Sequence, residues 1–348
     1  MHLICILIII AIYAILRVCQ NGIYYSLSRN NFYIISFLLI IAIGFRGEGV
    51  DHDYMSYVNS IGNYTTIGEP MHLLITSIIS TMSLPTFVLF VAYAFIGVYC
   101  KLNVIYRLSF LPYVSIIIYL SNIILLQDIN QIRAGAATSI FLLSIPYLVN
   151  REKSKFAFLI LLASMFHFSA LLFLILLCVS KKDFNYKSYY LWLFLPLIGY
   201  CAYYLGGQSI IDLIPFEPIR EKLLMYKSLQ DNSIDGFTEI NLFNPYFIFK
   251  MFIYYFLFSK YSFLKNLNSN ISLYIRIYGI SLFIFPALGA ITPILGYRGS
   301  DLFASIEILL LPYLFVLFKE GFSRNASIVC YFFLLFSVNI FYKHLIFF

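Results

Sequence analysis

Four short stretches of this sequence gather ionisable side chains in otherwise apolar surroundings, and each is suited to acid–base or anion-binding chemistry. The first runs from Phe45 to Tyr57 and holds Arg46, Glu48, Asp51, His52 and Asp53. Asp51, His52 and Asp53 carry metal-ligating atoms, but neighbouring positions with no clear third partner do not define a metal centre, and none is expected. A solvated loop with Arg46 near the lipid headgroups is the competing reading of this cluster. The second stretch, Gln127 to Ala137, contains Asp128, Gln131 and Arg133. Asp128 and Gln131 have capping-box spacing, which predicts a helix start at the outer face with its positive end outward. A guanidinium in the first turns of such a helix suits bidentate contact with phosphate oxygens, or else snorkels to the interface. The third is His167 inside Ala163-Ser164-Met165-Phe166-His167-Phe168-Ser169-Ala170. It either makes one structural hydrogen bond or faces a water-filled cavity. The fourth, Tyr297 to Phe303, sets Arg298 and Asp301 at the mouth of another helix, where they serve a ligand or fasten two helices together.

The elements that hold these groups follow from composition. Of 348 residues, 61% are hydrophobic and 11% charged, with mean hydropathy +0.88. A water-soluble domain needs about 25% charge to cover its surface, so most of this surface faces lipid. Apolar runs near membrane-spanning length recur throughout, which predicts an all-α, polytopic helical membrane protein in a single transmembrane domain over residues 1–348. A β-barrel is excluded because its strands would alternate. The expected spans are 2–17, 32–45, 84–100, 110–126, 134–149, 189–206, 245–259, 271–291, 300–318 and 325–343, about ten in all. The first has no basic leader or small-residue cleavage motif and reads as retained. The six cysteines lie in or beside apolar runs without paired spacing and read as small hydrophobes.

The run Phe156–Val179 is flanked by Arg151, Lys153 and Lys155 on one side and Lys181, Lys182 and Lys187 on the other. Both flanks belong inside by the positive-inside rule, so the run is expected to be a re-entrant hairpin turning near His167. The remaining Lys and Arg then concentrate in the inner turns, Lys101 among them, and most carboxylates, Asp128 among them, fall outside. Two exterior segments, 46–83 and 207–244, are long enough to build a site. Met71 to Met82, after Glu69-Pro70, is too short to span and is expected at the interface. In the second, Pro218 is expected to open a short helix carrying Glu221 and Lys222.

Three stretches bear a resemblance. Arg46 with Asp53-Tyr54-Met55-Ser56-Tyr57, the segment Gln131 to Ala137 around Arg133, and above all Ala163 to Ala170 around His167 resemble signatures of the EpsG family of bacterial polysaccharide polymerases, which share a role with Wzy-type O-antigen polymerases. Gln131 departs from the family's adjacent Arg-Gln pair. The resemblance implies a GT-C-like membrane glycosyltransferase that joins oligosaccharide repeat units carried on undecaprenyl pyrophosphate, at the periplasmic face of the bacterial inner membrane. It implies no cofactor and no nucleic acid, and as partners the lipid-linked oligosaccharide, a chain-length regulator and a flippase of the same pathway. On it, Arg46, Arg133 and Arg298 bind the pyrophosphate, Asp53, His167 and Asp301 are the candidate bases, and Tyr57 and Gln131 contact substrate. A lipid-linked oligosaccharide transporter, or a ligase or acyltransferase acting on the same lipid, are the alternatives. The absence of an internal repeat and the charges at one rim favour the enzyme over the transporter.

Overall fold

The computed structural model describes residues 2–63, 68–205 and 240–346, with positions 217, 220, 221, 224, 225 and 228. The expectation for Pro218 and Lys222, like most of the 207–244 segment, lies outside the described residues. Among the described residues all regular structure is helical. Among the described residues seven helices are long and apolar enough to cross a membrane: His2–Asn21, Phe87–Leu108, Pro112–Asn130, Ile132–Val149, Ile271–Gly289, Pro293–Val316 and Phe322–Tyr342. An eighth results if Pro245–Ser259 and Tyr261–Leu267, bent by 74°, count as one.

This corrects the expectation of ten spans, and each missing one has a physical cause. Arg29–Gly44 has 16 residues, which at 1.5 Å per residue reach about 24 Å, short of the ~30 Å hydrocarbon core. Pro245–Ser259 stops at 15 residues. Tyr186–Tyr204 is long enough at 19 residues, but Lys187 and the phenols of Tyr186, Tyr189, Tyr190, Tyr200, Tyr203 and Tyr204 make it an interfacial rather than a lipid-core composition.

The described chain forms two compact units, Met1–Leu177 with Glu307–Phe348, and Cys178–Ile306. In the first, Phe87–Leu108, Pro112–Asn130 and Ile132–Val149 pack around one buried ion pair. Lys101 donates from Nζ to Asp128 Oδ1 at 2.7 Å and to the Gly135 carbonyl at 3.0 Å, and the Tyr119 hydroxyl donates to Asp128 Oδ2 at 2.8 Å. Neither charged side chain reaches solvent. Gly97 and Gly135 are both needed there: a Cβ on Gly135 would sit 2.6 Å from the Gln127 carbonyl and 2.9 Å from Asp128 Oδ1. Asp128 therefore does not cap a helix, as its spacing to Gln131 suggested. The preceding helix runs on to Asn130, and the next begins at Ile132 with no side-chain cap bond from Gln131. Lys101 and Asp128 also cannot stand on opposite faces of the membrane, as the charge partition placed them.

The His167 run is broken in two. Lys153–Phe166 packs along Ile132–Val149 and ends at His167, whose backbone is extended at φ −155°, ψ 114°. Beyond it Phe168–Cys178 is a 3-10 helix of 11 residues. His167 lies level with the Arg133 end of Ile132–Val149, yet Phe173 stacks on Phe141, two turns along that helix, with ring centroids 3.8 Å apart. Six residues after His167 the chain has returned in the direction it came from, and neither arm is long enough to cross alone.

In the second unit, Tyr186–Tyr204 and Pro293–Ala304 both pack on Ile271–Gly289. Asn185 and Ser188 form a reciprocal capping box that starts the first of these helices.

Lys101→Met alone, or Asp128→Ala alone, is expected to cost about 3–5 kcal/mol by stranding the partner's charge, whereas Lys101→Met combined with Asp128→Leu recovers a large part of it. Thermal unfolding in detergent measures this, and equal losses for single and double variants would refute the pairing.

Candidate functional site

Glu69 is the centre of the polar cluster in the first unit. It precedes Pro70, which opens the helix Pro70–Thr81 with a preset φ, so the carboxylate is fixed at the helix entrance. Glu69 Oε2 accepts from Arg133 Nη1, and Oε1 lies 3.2 Å from His167 Nδ1. A carboxylate only accepts, so Nδ1 carries the hydrogen of this bond. Side-chain exposure is 6% for Glu69, 12% for His167 and 34% for Arg133. Arg133 is thus the least enclosed of the three side chains. It also lies 5.7 Å from the Tyr57 ring centroid.

Behind Glu69, one turn along the same helix, His72 sits between two hydroxyls. Its Nε2 is 2.9 Å from Ser60 Oγ and its Nδ1 is 3.0 Å from the Tyr93 hydroxyl. Ser60 gives its own hydrogen to the Tyr57 carbonyl at 2.6 Å. His72 must therefore donate from Nε2 and accept from Tyr93 at Nδ1. Burial, with the Arg133 charge adding to it, pushes His72 from 6.5 down to about 4, so this ring is neutral at pH 7. Burial works against the Glu69 carboxylate, but the hydrogen bond from His167 and the Arg133 charge outweigh it and bring it from 4.5 down to about 2.

Two other charged pairs of this unit, Arg46–Asp51 and Lys101–Asp128, differ in one respect. Arg46 bonds Asp51 Oδ2 at 2.6 Å, the Ile43 carbonyl at 3.1 Å and the Ile129 carbonyl at 2.8 Å, and lies 4.2 Å from the Phe90 ring centroid. Its side chain and that of Asp51 are both 0% exposed. Arg46 is enclosed, as is Lys101; Arg133 is not.

A family model described as EpsG family matches residues 30–347, nearly the whole chain. The chain belongs to the EpsG family. No curated protein and no solved structure matches it. Family membership gives the protein a polysaccharide-polymerase-like, glycosyltransferase-type role in a membrane.

Of the residues the EpsG resemblance singled out, the structure brings Arg133, His167 and Tyr57 together. Arg46 is near them in the first unit but buried on Asp51. Asp53 is half-buried at the start of Tyr54–Asn59, with its backbone N–H bonded to Asp51 Oδ1 at 3.1 Å. Gln131 forms the joint between two helices, its N–H on the Leu126 carbonyl and its carbonyl accepting from Gly135. Arg298 and Asp301 belong to the second unit, on Pro293–Ala304, where Arg298 is exposed. Glu69 and His72 were not singled out. The available signal was their i, i+3 spacing on one helix face directly after a proline start.

Both shifted groups have depressed values in the folded state, so each contributes stability that is present above its unfolded value and lost on acidification. Stability is expected to fall first between about pH 6.5 and 4, as protons favour unfolded His72, and again between about 4.5 and 2 for Glu69, each by up to about 3 kcal/mol. Denaturant titration in detergent over this range measures both steps. His72→Gln is expected to remove only the first, and a wild-type profile flat down to pH 4 would contradict the His72 assignment.

Proposed function

We propose that the protein polymerises oligosaccharide repeat units carried on undecaprenyl pyrophosphate at the periplasmic face of the bacterial inner membrane, releasing undecaprenyl pyrophosphate. The observation that supports this is the Glu69 carboxylate shared between His167 and a partly exposed Arg133. In the reaction, an acceptor hydroxyl oxygen attacks the anomeric carbon of the donor sugar. A new glycosidic bond forms, the bond from that carbon to the pyrophosphate oxygen breaks, and its electron pair leaves with the lipid pyrophosphate. The hydroxyl proton goes to His167 Nε2. Glu69 orients the ring and stabilises the imidazolium that results. Arg133 supplies donors to the pyrophosphate oxygens as their charge grows.

On this reading His167 is the base in preference to Asp53, because it is His167 that Glu69 orients beside the cation. Arg46 positions the Phe45–Tyr57 loop rather than binding pyrophosphate. Arg298 and Asp301 are not needed, since the first unit alone supplies base, orienting carboxylate and cation.

The test is purified protein supplied with lipid-linked repeat units, with chain length and released lipid pyrophosphate as readouts. His167→Ala is expected to lower the rate by about 10²–10⁴. Glu69→Gln is expected to lower kcat more than it raises KM, and Arg133→Lys to fail because an ammonium cannot reproduce the planar fork. Full-length polymer from His167→Ala protein that folds as wild type would overturn the assignment. Movement of lipid across the bilayer without new glycosidic bonds would point to a transporter instead.

A further inference from the structure

Arg276 in the second unit carries a buried permanent charge whose nearby carboxylate, Asp183, is shared with Tyr261 and Lys265. It is 2% exposed, and its polar partners are two main-chain carbonyls: Nη1 bonds Ser180 O, and also Lys182 O at 2.7 Å. Its Nε is buried with no hydrogen-bond partner. The faces of Phe184 and Trp192 lie 4.4 Å and 5.6 Å from its Cζ. With Asp183 shared between Arg276 and Lys265, the cations of this region outnumber the carboxylate beside them.

The surrounding chain is stapled into a rigid corner. Ser272 donates to the Lys181 carbonyl at 2.8 Å, and the Tyr261 hydroxyl donates to Asp183 at 2.7 Å. Phe184 packs edge-on to Tyr261, 4.7 Å between centroids. This corner presents Lys182, Lys187, Lys260 and Lys265 to the exterior. Asp183 is the acid among them, and it is engaged by Tyr261 and, at 3.6 Å, by Lys265.

Two further features make the surroundings interfacial. The chain bends by 74° between Pro245–Ser259 and Tyr261–Leu267, so the short second helix runs across the direction of the first. That helix buries Tyr261 and Leu264 while exposing Phe263 and Lys265, and Tyr186, Tyr190 and Leu191 are exposed nearby in sequence to the basic turn. Aromatic and lysine side chains in this mixture belong at the headgroup level of a bilayer.

We infer that the corner formed by residues 180–187, the Lys260 bend and Arg276 binds the phosphate of an anionic phospholipid headgroup. The exposed lysines meet the phosphate, with the buried Arg276 adding its positive field behind them, and the exposed Phe263, Tyr190 and Leu191 lie against the acyl boundary. A free inorganic phosphate would use the cations and leave that apolar flank idle. The inference is independent of the polymerase reading, because none of these residues belongs to the Glu69 cluster.

The experiment compares lipid retention by the purified full-length protein, read by native mass spectrometry, after exchange into mixed micelles of phosphatidylglycerol and phosphatidylcholine. Wild type is expected to retain phosphatidylglycerol preferentially. The triple variant Lys182→Gln, Lys187→Gln, Lys265→Gln changes exposed side chains and is expected to fold normally, with retention weakened on the order of a hundredfold. Equal retention of the two lipids by wild type, or an undiminished preference in the triple variant, would overturn the inference. Complete displacement of phosphatidylglycerol by millimolar inorganic phosphate would also overturn it, by showing that phosphate alone is the ligand.

Discussion

A charge carried into the interior of a membrane protein needs its counter-charge beside it, since neither lipid nor a dry bundle can solvate it. Three ion pairs among the described residues of the first unit show this, Arg46–Asp51, Lys101–Asp128 and Arg133–Glu69, each with at least one partner almost wholly enclosed. Two of the three are closed off. In the third, a third of the Arg133 side chain remains exposed. The closed pairs join elements that would otherwise have only apolar contact, Arg46 tying the Phe45–Tyr57 loop to Ile129 and Lys101 tying three helices at Asp128. The less enclosed pair also holds a histidine, His167. Burial thus separates the charges that build the protein from those available for chemistry, a distinction that residue type alone does not contain.

Wide helical turns supply the other half of the arrangement. Tyr119–Asn130, Phe95–Tyr99 and Val338–Tyr342 are π-helical, and such turns misalign carbonyls from their usual donors. Side chains take them up. Arg46 reaches the Ile129 carbonyl, Asn130 bonds the Leu125 and Leu345 carbonyls, and Asn339 donates to the Ser121 carbonyl at 2.9 Å. Gly97 lies within one π-helical segment and against Asp128, so the widened turn lets the helix pass the buried carboxylate closely. The chain therefore keeps its backbone satisfied inside the bundle while bending enough to bring Gln131 and Arg133 to a helix start.

Helical class, membrane character and most spans were legible because they depend on composition and run length. His167 was legible as a break because basic residues on both flanks are incompatible with a simple crossing. What could not be read were pairings across long sequence separations. Glu69 looked like a helix-start residue; its partners are 64 and 98 positions away. Asp128 matched a capping box by spacing alone, while its true partner, Lys101, lay on the wrong side of a charge count that treats every lysine near a span end as solvated. Tyr186–Tyr204 passed for a span because aromatic residues count as hydrophobic, although a phenol prefers the interface. In each case the local pattern was present and a tertiary contact outweighed it.

The same pairing rule explains why the open cluster suits a leaving group whose charge grows during reaction. At rest Glu69 and Arg133 cancel and His72 is a neutral ring, so the charge balance of the cluster turns on His167. In the proposed reaction, the proton His167 takes adds positive charge to the cluster while the departing pyrophosphate gains negative charge, and attraction strengthens along the reaction coordinate. His72 matters here by staying neutral. A second imidazolium behind Glu69 would compete for the carboxylate, draw it from His167 Nδ1, and make the resting pocket cationic. Burial of His72 between Ser60 and Tyr93 prevents that, so in the proposed reaction the charge change is confined to His167, the ring that Glu69 holds at Nδ1.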